Sequence, residues 1–110
     1  METNVKTIDD VTIVEVIGDI DGKVAPQIQE QIVAQVKPEG KLILDMGQVG
    51  YMSSAGLRML LSTYRQASAQ KATVVVVGLS EMLKETMSAT GFIRFFTIYD
   101  TTETALENLK

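Results

Sequence analysis

The hydrophobic residues of this chain follow two different spacings, which predict alternating strands and helices. Residues 11–17 (VTIVEVI) are dominated by β-branched side chains and end at Gly18, a pattern typical of a strand that closes in a turn. Residues 4–8 are expected to form its hairpin partner, with the polar pair Asp9 and Asp10 in the turn between them. Short apolar runs predict further strands at residues 42–44, 72–77 and 95–99.

Apolar residues three or four positions apart predict four amphipathic helices between and after these strands. The first covers residues 26–37 and has a proline in its first turn, where proline costs no hydrogen bond. The second begins at Ser53 or Ser54, either of which can cap it. The third runs from Ser80 toward Gly91, and the fourth follows a capping-box pattern over residues 100–103. The order ββαβαβαβα predicts one α/β domain over residues 1–110, with a mixed, mostly parallel sheet that opens with an antiparallel hairpin.

The composition removes several classes of function. The chain has 110 residues with no cysteine and no histidine, which excludes disulfides, Ser/His and Cys/His triads and the usual zinc ligand sets. We therefore expect no enzyme activity, no metal and no cofactor. Lys and Arg total 10 against 14 Asp and Glu, a net charge of -4 that disfavours nucleic acid as a partner.

The hydropathy of the chain indicates whether the protein is secreted or inserted in a membrane. The N-terminus has no secretory pattern, and the longest strongly apolar stretch, residues 72–79, is far shorter than the roughly 20 residues of a membrane-spanning helix. We expect a cytoplasmic protein without membrane insertion.

Two loops at the predicted carboxyl edge of the sheet carry the candidate chemistry, because ligands and functional loops gather there in open α/β sheets. Residues 18–23 read GDIDGK, and residues 46–56 read MGQVGYMSSAG. Ser53 and Ser54 stand where a helix starts, and the backbone N–H groups of a helix start favour an anion. A serine there is most often only an N-cap, but the small residues Ala55 and Gly56 leave both hydroxyls accessible to a partner.

Residues 44–57 (LDMGQVGYMSSAGL) resemble the signature of the STAS domain family, in particular that of the bacterial anti-sigma factor antagonists. Residues 18–21 (GDID), together with Ala25, are similar to the Gly-acidic-Leu-Asp loop of the family. The resemblance covers essentially the whole chain. It implies a domain that binds an anti-sigma factor of the histidine-kinase-like ATPase fold, a serine kinase that phosphorylates a loop serine and thereby breaks the complex. It also implies a serine phosphatase as a second partner.

Carried over position by position, the resemblance implies Ser54 as the phosphoacceptor, with Ser53 as the alternative. Ser53 stands where these antagonists often have Asp, and Ala55 stands where they often have Ser or Thr. The residues expected to bind the partner are Asp21, Asp45, Met52, Ser53, Ala55, Gly56, Leu57 and Arg58. Of these, Met52 and Leu57 are expected to supply apolar contacts to the partner. Arg58 lies outside the matched motif, and its charge would form a salt bridge with the partner or bind a phosphate, although a solvated charge is the commoner explanation.

Two other interpretations stand beside this one. The chain could be a STAS interaction module that is never phosphorylated and serves as an accessory subunit of a transporter or signalling complex. Alternatively, Asp19, Asp21 and Asp45 could hold a divalent metal ion, although aspartates in turns and at loop ends are the commoner explanation. The loop glycines do not fit a phosphate-binding P-loop, which disfavours an autonomous nucleotide hydrolase.

Overall fold

The computed structural model describes residues 2–109, and within them the elements follow the predicted order. The strands are β1 (Glu2–Ile8), β2 (Val11–Ile17), β3 (Lys41–Gln48), β4 (Thr73–Val77) and β5 (Thr97–Tyr99). The helices are α1 (Ala25–Val33), α2 (Ser54–Ala69), α3 (Glu81–Thr90) and α4 (Thr102–Asn108), with a short 3₁₀ helix at Phe92–Phe95. The α/β fold expected from the sequence is confirmed.

The described strands form one sheet in the order β1-β2-β3-β4-β5. Strands β1 and β2 are antiparallel, and all the other neighbouring pairs are parallel. Asp9 and Asp10 connect the antiparallel pair with φ values of 48° and 68°. Two central residues at positive φ are typical of hairpin turns whose twist matches that of the flanking strands. The predicted hairpin is therefore confirmed, although its turn has no glycine.

Helices cover both faces of the central strands, and successive residues of each strand point to these opposite faces. On one face, side chains such as Leu44 and Val76 pack with residues of α1, α2 and α3. On the other face, Ile43 and Val75 pack with Ala105 of α4. This two-sided burial explains why the central strands read as continuous apolar runs. Among the described residues, no helix combines the length and hydropathy needed to cross a membrane.

Helix α1 is shorter than the predicted span of 26–37, since it ends at Val33. The amides of Gln35 and Val36 donate to carbonyl oxygens three residues earlier, at 2.9 and 3.0 Å, so the chain tightens into short turns there. Pro38 also disfavours a helical conformation at the residue before it. Apolar residues at helical spacing continue beyond the end of the hydrogen-bonded helix, and for this reason the predicted span is too long.

Strand β3 is longer than the predicted run of 42–44. It continues to Gln48, which pairs with Ile17 of β2 beyond a register shift. Asp45, predicted at the end of the strand, and Gly47, predicted in a turn, therefore lie inside it.

The last strand is shorter than the predicted span of 95–99. Gly91 ends α3 with a φ of 79°, and the chain then forms the 3₁₀ helix Phe92–Phe95. Strand β5 consequently begins only at Thr97.

Candidate functional site

The loops that follow β2 and β3 lie side by side and are joined through their backbones. The Ile20 amide donates to the carbonyl oxygen of Tyr51 at 2.9 Å, and the Ser53 amide donates to the carbonyl oxygen of Ile20 at 2.8 Å. These bonds form an isolated parallel bridge between Ile20 and Met52. We call residues 18–24 and 49–53 the paired loops. The two segments that carried candidate chemistry in the sequence thus form one continuous surface at the carboxyl edge of the sheet.

The two adjacent serines have different environments. Ser53 is the N-cap of α2 and has an extended backbone, and its hydroxyl oxygen accepts a hydrogen bond from the Gly56 amide at 3.3 Å. Its side chain is half-buried. Ser54 is the first residue of the helix and is exposed to solvent. Of the two predicted caps, Ser53 is the one that caps the helix, and Ser54 presents its hydroxyl at the surface.

Met52 and Leu57 lie in the core beneath the paired loops. Their exposed fractions are 4% and 3%, and both pack in the cluster on the α1 to α3 face of the sheet. Gly56 is also buried, and a Cβ built on it would clash with Met52 Cγ and lie 3.0 Å from Ile20 Cγ2. The expectation that Met52 and Leu57 present apolar side chains to a partner does not match this arrangement. The side chains of Met52 and Leu57 instead pack beneath the paired loops and support them.

The exposed part of the site consists of other side chains. Ser54 and Arg58 are exposed on α2, and Ala55 is half-buried between them in sequence. Tyr51, which is not among the residues predicted from the sequence, is 53% exposed at the tip of its loop. A large aromatic residue directly after a loop glycine is the signal that could have indicated it.

Two of the predicted aspartates bond to their own loops. The Asp21 carboxylate accepts hydrogen bonds from the amides of Lys23 and Val24 at 2.9 and 3.1 Å, in the turn that leads into α1. The Asp45 carboxylate accepts one from the Gly47 amide at 3.0 Å. Both carboxylates thus stabilise the backbone of the site.

The aspartates do not assemble a metal site. Within residues 2–109, no three acidic side chains are grouped as ligands of one ion would be. The metal site considered from Asp19, Asp21 and Asp45 is therefore not formed, and turn geometry accounts for two of these residues.

A third loop, which follows β4, packs against the end of β3 next to the site. Gly78 has a φ of 76°, and a Cβ built on it would lie 2.9 Å from the Gly47 amide nitrogen and 3.3 Å from Asp45 Oδ1. A side chain at position 78 would displace the end of β3. The close contact of the two glycines fixes where the β3 to α2 loop begins.

The fold and this pair of loops agree with a known family. The family model of the STAS domain matches residues 2–105. The chain belongs to the STAS domain family. The match includes both paired loops and α2, so the resemblance read from residues 18–21 and 44–57 is confirmed.

Individual relatives match over most of their length. The Bordetella bronchiseptica protein BtrV is 30% identical over 111 residues, covering 100% of this chain and 96% of BtrV. The anti-sigma-B factor antagonist of Listeria monocytogenes is 34% identical over 77 residues, covering 69% of this chain and 68% of that protein. Among solved structures, an anti-sigma factor antagonist from Mycobacterium paratuberculosis superposes with a TM-score of 0.85 at 30% identity, covering 97% of this chain and 92% of that one.

Proposed function

We propose that this STAS domain is an anti-sigma factor antagonist regulated by phosphorylation of Ser54. In this proposal its partner is an anti-sigma factor of the histidine-kinase-like ATPase fold, which binds the surface formed by the paired loops and the first turns of α2. The partner phosphorylates Ser54 and the complex separates, and a serine phosphatase then restores the binding form. The proposed location is the cytoplasm, where the partner has ATP.

The observation that carries the proposal is that Ser53 and Ser54 occupy different environments. The Ser53 hydroxyl caps α2, whereas Ser54 is exposed in the first turn of the same helix. An incoming kinase can therefore reach the Ser54 hydroxyl without breaking the cap. Similarity to relatives named as anti-sigma factor antagonists supports the choice of partner class.

The transfer step needs little from this chain beyond the position of one hydroxyl. The Ser54 oxygen attacks the γ-phosphorus of the ATP that the partner holds, and a new oxygen–phosphorus bond forms as the bond to the β,γ-bridging oxygen breaks. ADP remains with the partner, and the hydroxyl proton passes to a base of the kinase. The antagonist is the phosphoryl acceptor and is not itself the enzyme.

Release follows from electrostatics. A phosphoserine carries a charge of about -1.5 to -2 at neutral pH. Placed in the contact surface, this charge must lose its water on docking, which is unfavourable unless a cation faces it. The loop beside it already holds the exposed carboxylates of Asp19 and Asp21, and the whole chain has a net charge of -4. The exposed cations Lys23 and Arg58 balance these two carboxylates in the unmodified surface, and phosphorylation therefore makes the surface acidic.

Intact-mass spectrometry of the protein purified from its native cells, with fragmentation to locate any phosphate, tests the proposal. We expect a phosphate on Ser54 in one physiological state and its absence in another. A phosphate on Ser53 would move the acceptor to the capping residue. A chain that is unmodified in both growing and stressed cells would contradict the proposal and favour the interaction module that is never phosphorylated, acting in a transporter or signalling complex.

A further inference from the structure

Arg58 stands one helical turn after Ser54 on α2. Residues four apart on a helix are neighbours on its surface, and a long side chain leans toward the N-terminus of its helix. Both residues are exposed. The Arg58 guanidinium can therefore reach a group attached to the Ser54 oxygen without any change in the backbone.

Within residues 2–109, Arg58 forms no ion pair with an acidic side chain within 4 Å. The ion pairs found among the described residues are those of Lys84 with Glu81 and Asp100. Arg58 lines a shallow groove of about 290 Å³ between α1 and α2, and none of the described residues lining that groove is acidic. Gln29 and Ser62 also line the groove and bond to each other, since the Gln29 side-chain amide donates to the Ser62 hydroxyl at 2.8 Å.

We propose that Arg58 binds the phosphate of phosphorylated Ser54 within the same chain. This inference rests on the proposed function and adds a second effect of phosphorylation. The phosphate brings negative charge into the partner surface and also removes Arg58, a cation of that surface, from contact with the partner. An ion pair between the phosphate and Arg58, both on α2, then stabilises the phosphorylated form.

The chemistry of the two groups favours this pairing. A guanidinium offers two parallel N–H donors to a phosphate, which a lysine ammonium cannot do. An acidic group four residues before a basic one is the favourable order on a helix. Lys23 is the competing cation, because it is exposed in the neighbouring loop and Gly22 beside it lies against Ala55. The nearby carboxylates of Asp19 and Asp21 repel the phosphate, and this repulsion is the same in every variant of α2.

Phosphorus NMR on chain made with phosphoserine encoded at position 54 tests the inference without any kinase. The second pKa of an isolated phosphoserine is about 6. We expect the phosphoserine pKa in Arg58→Gln to be higher by about 0.3 than in the otherwise unchanged protein, the size expected for an exposed ion pair four residues apart. Arg58→Lys should restore only part of this difference. Dispersion of the amide NMR signals verifies that each variant is folded.

Two matched variants separate Arg58 from general electrostatics. Arg65→Gln removes the same charge from an exposed position two turns further along α2, and Lys23→Gln removes the competing cation. Both should leave the phosphoserine pKa close to that of the parent protein. An equal pKa in the parent and Arg58→Gln, or a larger change in Lys23→Gln, would overturn the inference. Because phosphoserine is encoded, this result is independent of whether cells phosphorylate Ser54, which is what the mass measurement decides.

Discussion

The Gly56 amide donates a hydrogen bond to the hydroxyl oxygen of Ser53, and the two atoms lie 3.3 Å apart at the start of α2. Ser54, which follows Ser53 in the sequence, is exposed. The two hydroxyls therefore contribute differently to stability, even though they are chemically identical and adjacent.

We expect Ser53→Ala to lower the free energy of unfolding by about 1 kcal/mol, because it removes the cap of a 16-residue helix. Ser54→Ala should change it by less than about 0.5 kcal/mol, as at other exposed positions. Urea denaturation monitored by circular dichroism measures both. Ser53→Asp is the control, since a carboxylate caps a helix as well as a hydroxyl does, and it should retain the stability of the parent. Equal losses in the two alanine variants would contradict this assignment of the cap.

Gly78 and Gly91 form a matched pair, because both have left-handed backbones with φ near 76° and 79°. A Cβ at Gly91 meets nothing closer than Arg94 Nη2 at 3.9 Å, whereas a Cβ at Gly78 would lie 2.9 Å from the Gly47 amide nitrogen. We expect Gly91→Ala to cost about 1 kcal/mol through backbone strain alone. Gly78→Ala should cost at least about 1 kcal/mol more, because the end of β3 must also move.

Chemical shifts distinguish the two glycine variants further. Gly78→Ala should shift the amide signals of Gly47 and of the loop that follows β3, and Gly91→Ala should leave those signals in place. Similar stability and similar loop shifts in both variants would show that the contact between Gly78 and Gly47 is not tight.

The features that the sequence predicted well are those set by local chemistry. The β-branched run of β2, the acidic pair in its turn and the continuous apolar run at Leu42 to Leu44 depend on intrinsic preferences and on burial, and each forms the expected element. Residue type limits the candidates for the N-cap of α2 to Ser53 and Ser54. The choice of Ser53 depends on which hydroxyl meets the Gly56 amide, and residue type alone does not decide it.

The features that the sequence did not predict depend on tertiary contacts. β3 extends to Gln48 because the neighbouring strand β2 continues to pair with it. Apolar residues beside a functional loop suit both a core and an interface, so the sequence does not distinguish these two locations for Met52 and Leu57. Their burial follows from the bridge between Ile20 and Met52, which draws the two loops together over the core.

Lys84 links α3 to the turn that precedes α4. Its Nζ lies 3.2 Å from Asp100 Oδ1 and 3.6 Å from Glu81 Oε1. The hydrogen bond from Lys84 to Asp100 and the charge of Asp100, with a smaller contribution from Glu81, raise the pKa of Lys84 above its usual 10.5. A lysine whose pKa is raised by folding stabilises the protein below the pKa of the unfolded chain, and this stabilisation is lost as the pH rises through the folded pKa.

We therefore expect the free energy of unfolding to fall more steeply above pH 10.5 in the parent protein than in Asp100→Asn, which lacks the main partner of Lys84. Urea unfolding on both sides of that pH, at low salt, measures the difference. High salt should reduce it, because both carboxylates are largely exposed. Identical pH profiles for the two proteins would mean that the ion pair contributes nothing in solution.

The proposed release mechanism predicts how the partner distinguishes substitutions at Ser54. Ser54→Ala should bind the anti-sigma factor with nearly the affinity of the unmodified chain, because it removes one exposed hydroxyl. Ser54→Asp should bind at least about tenfold more weakly, because a carboxylate in the contact surface must lose its water on docking. Calorimetric titration with ADP-bound partner measures both affinities. Ser68→Asp places the same charge about 21 Å away along α2 and should bind normally.

Arg58 adds a quantitative condition to this prediction. If the phosphate on Ser54 also takes Arg58 from the partner, phosphorylation should weaken binding by a smaller factor in Arg58→Gln than in the parent, since the arginine contact is already absent. The unphosphorylated Arg58→Gln chain should itself bind more weakly than the parent. Equal binding by Ser54→Ala and Ser54→Asp would contradict the electrostatic release. If phosphorylation weakens binding by the same factor in Arg58→Gln and in the parent, the negative charge of the phosphate alone would cause release.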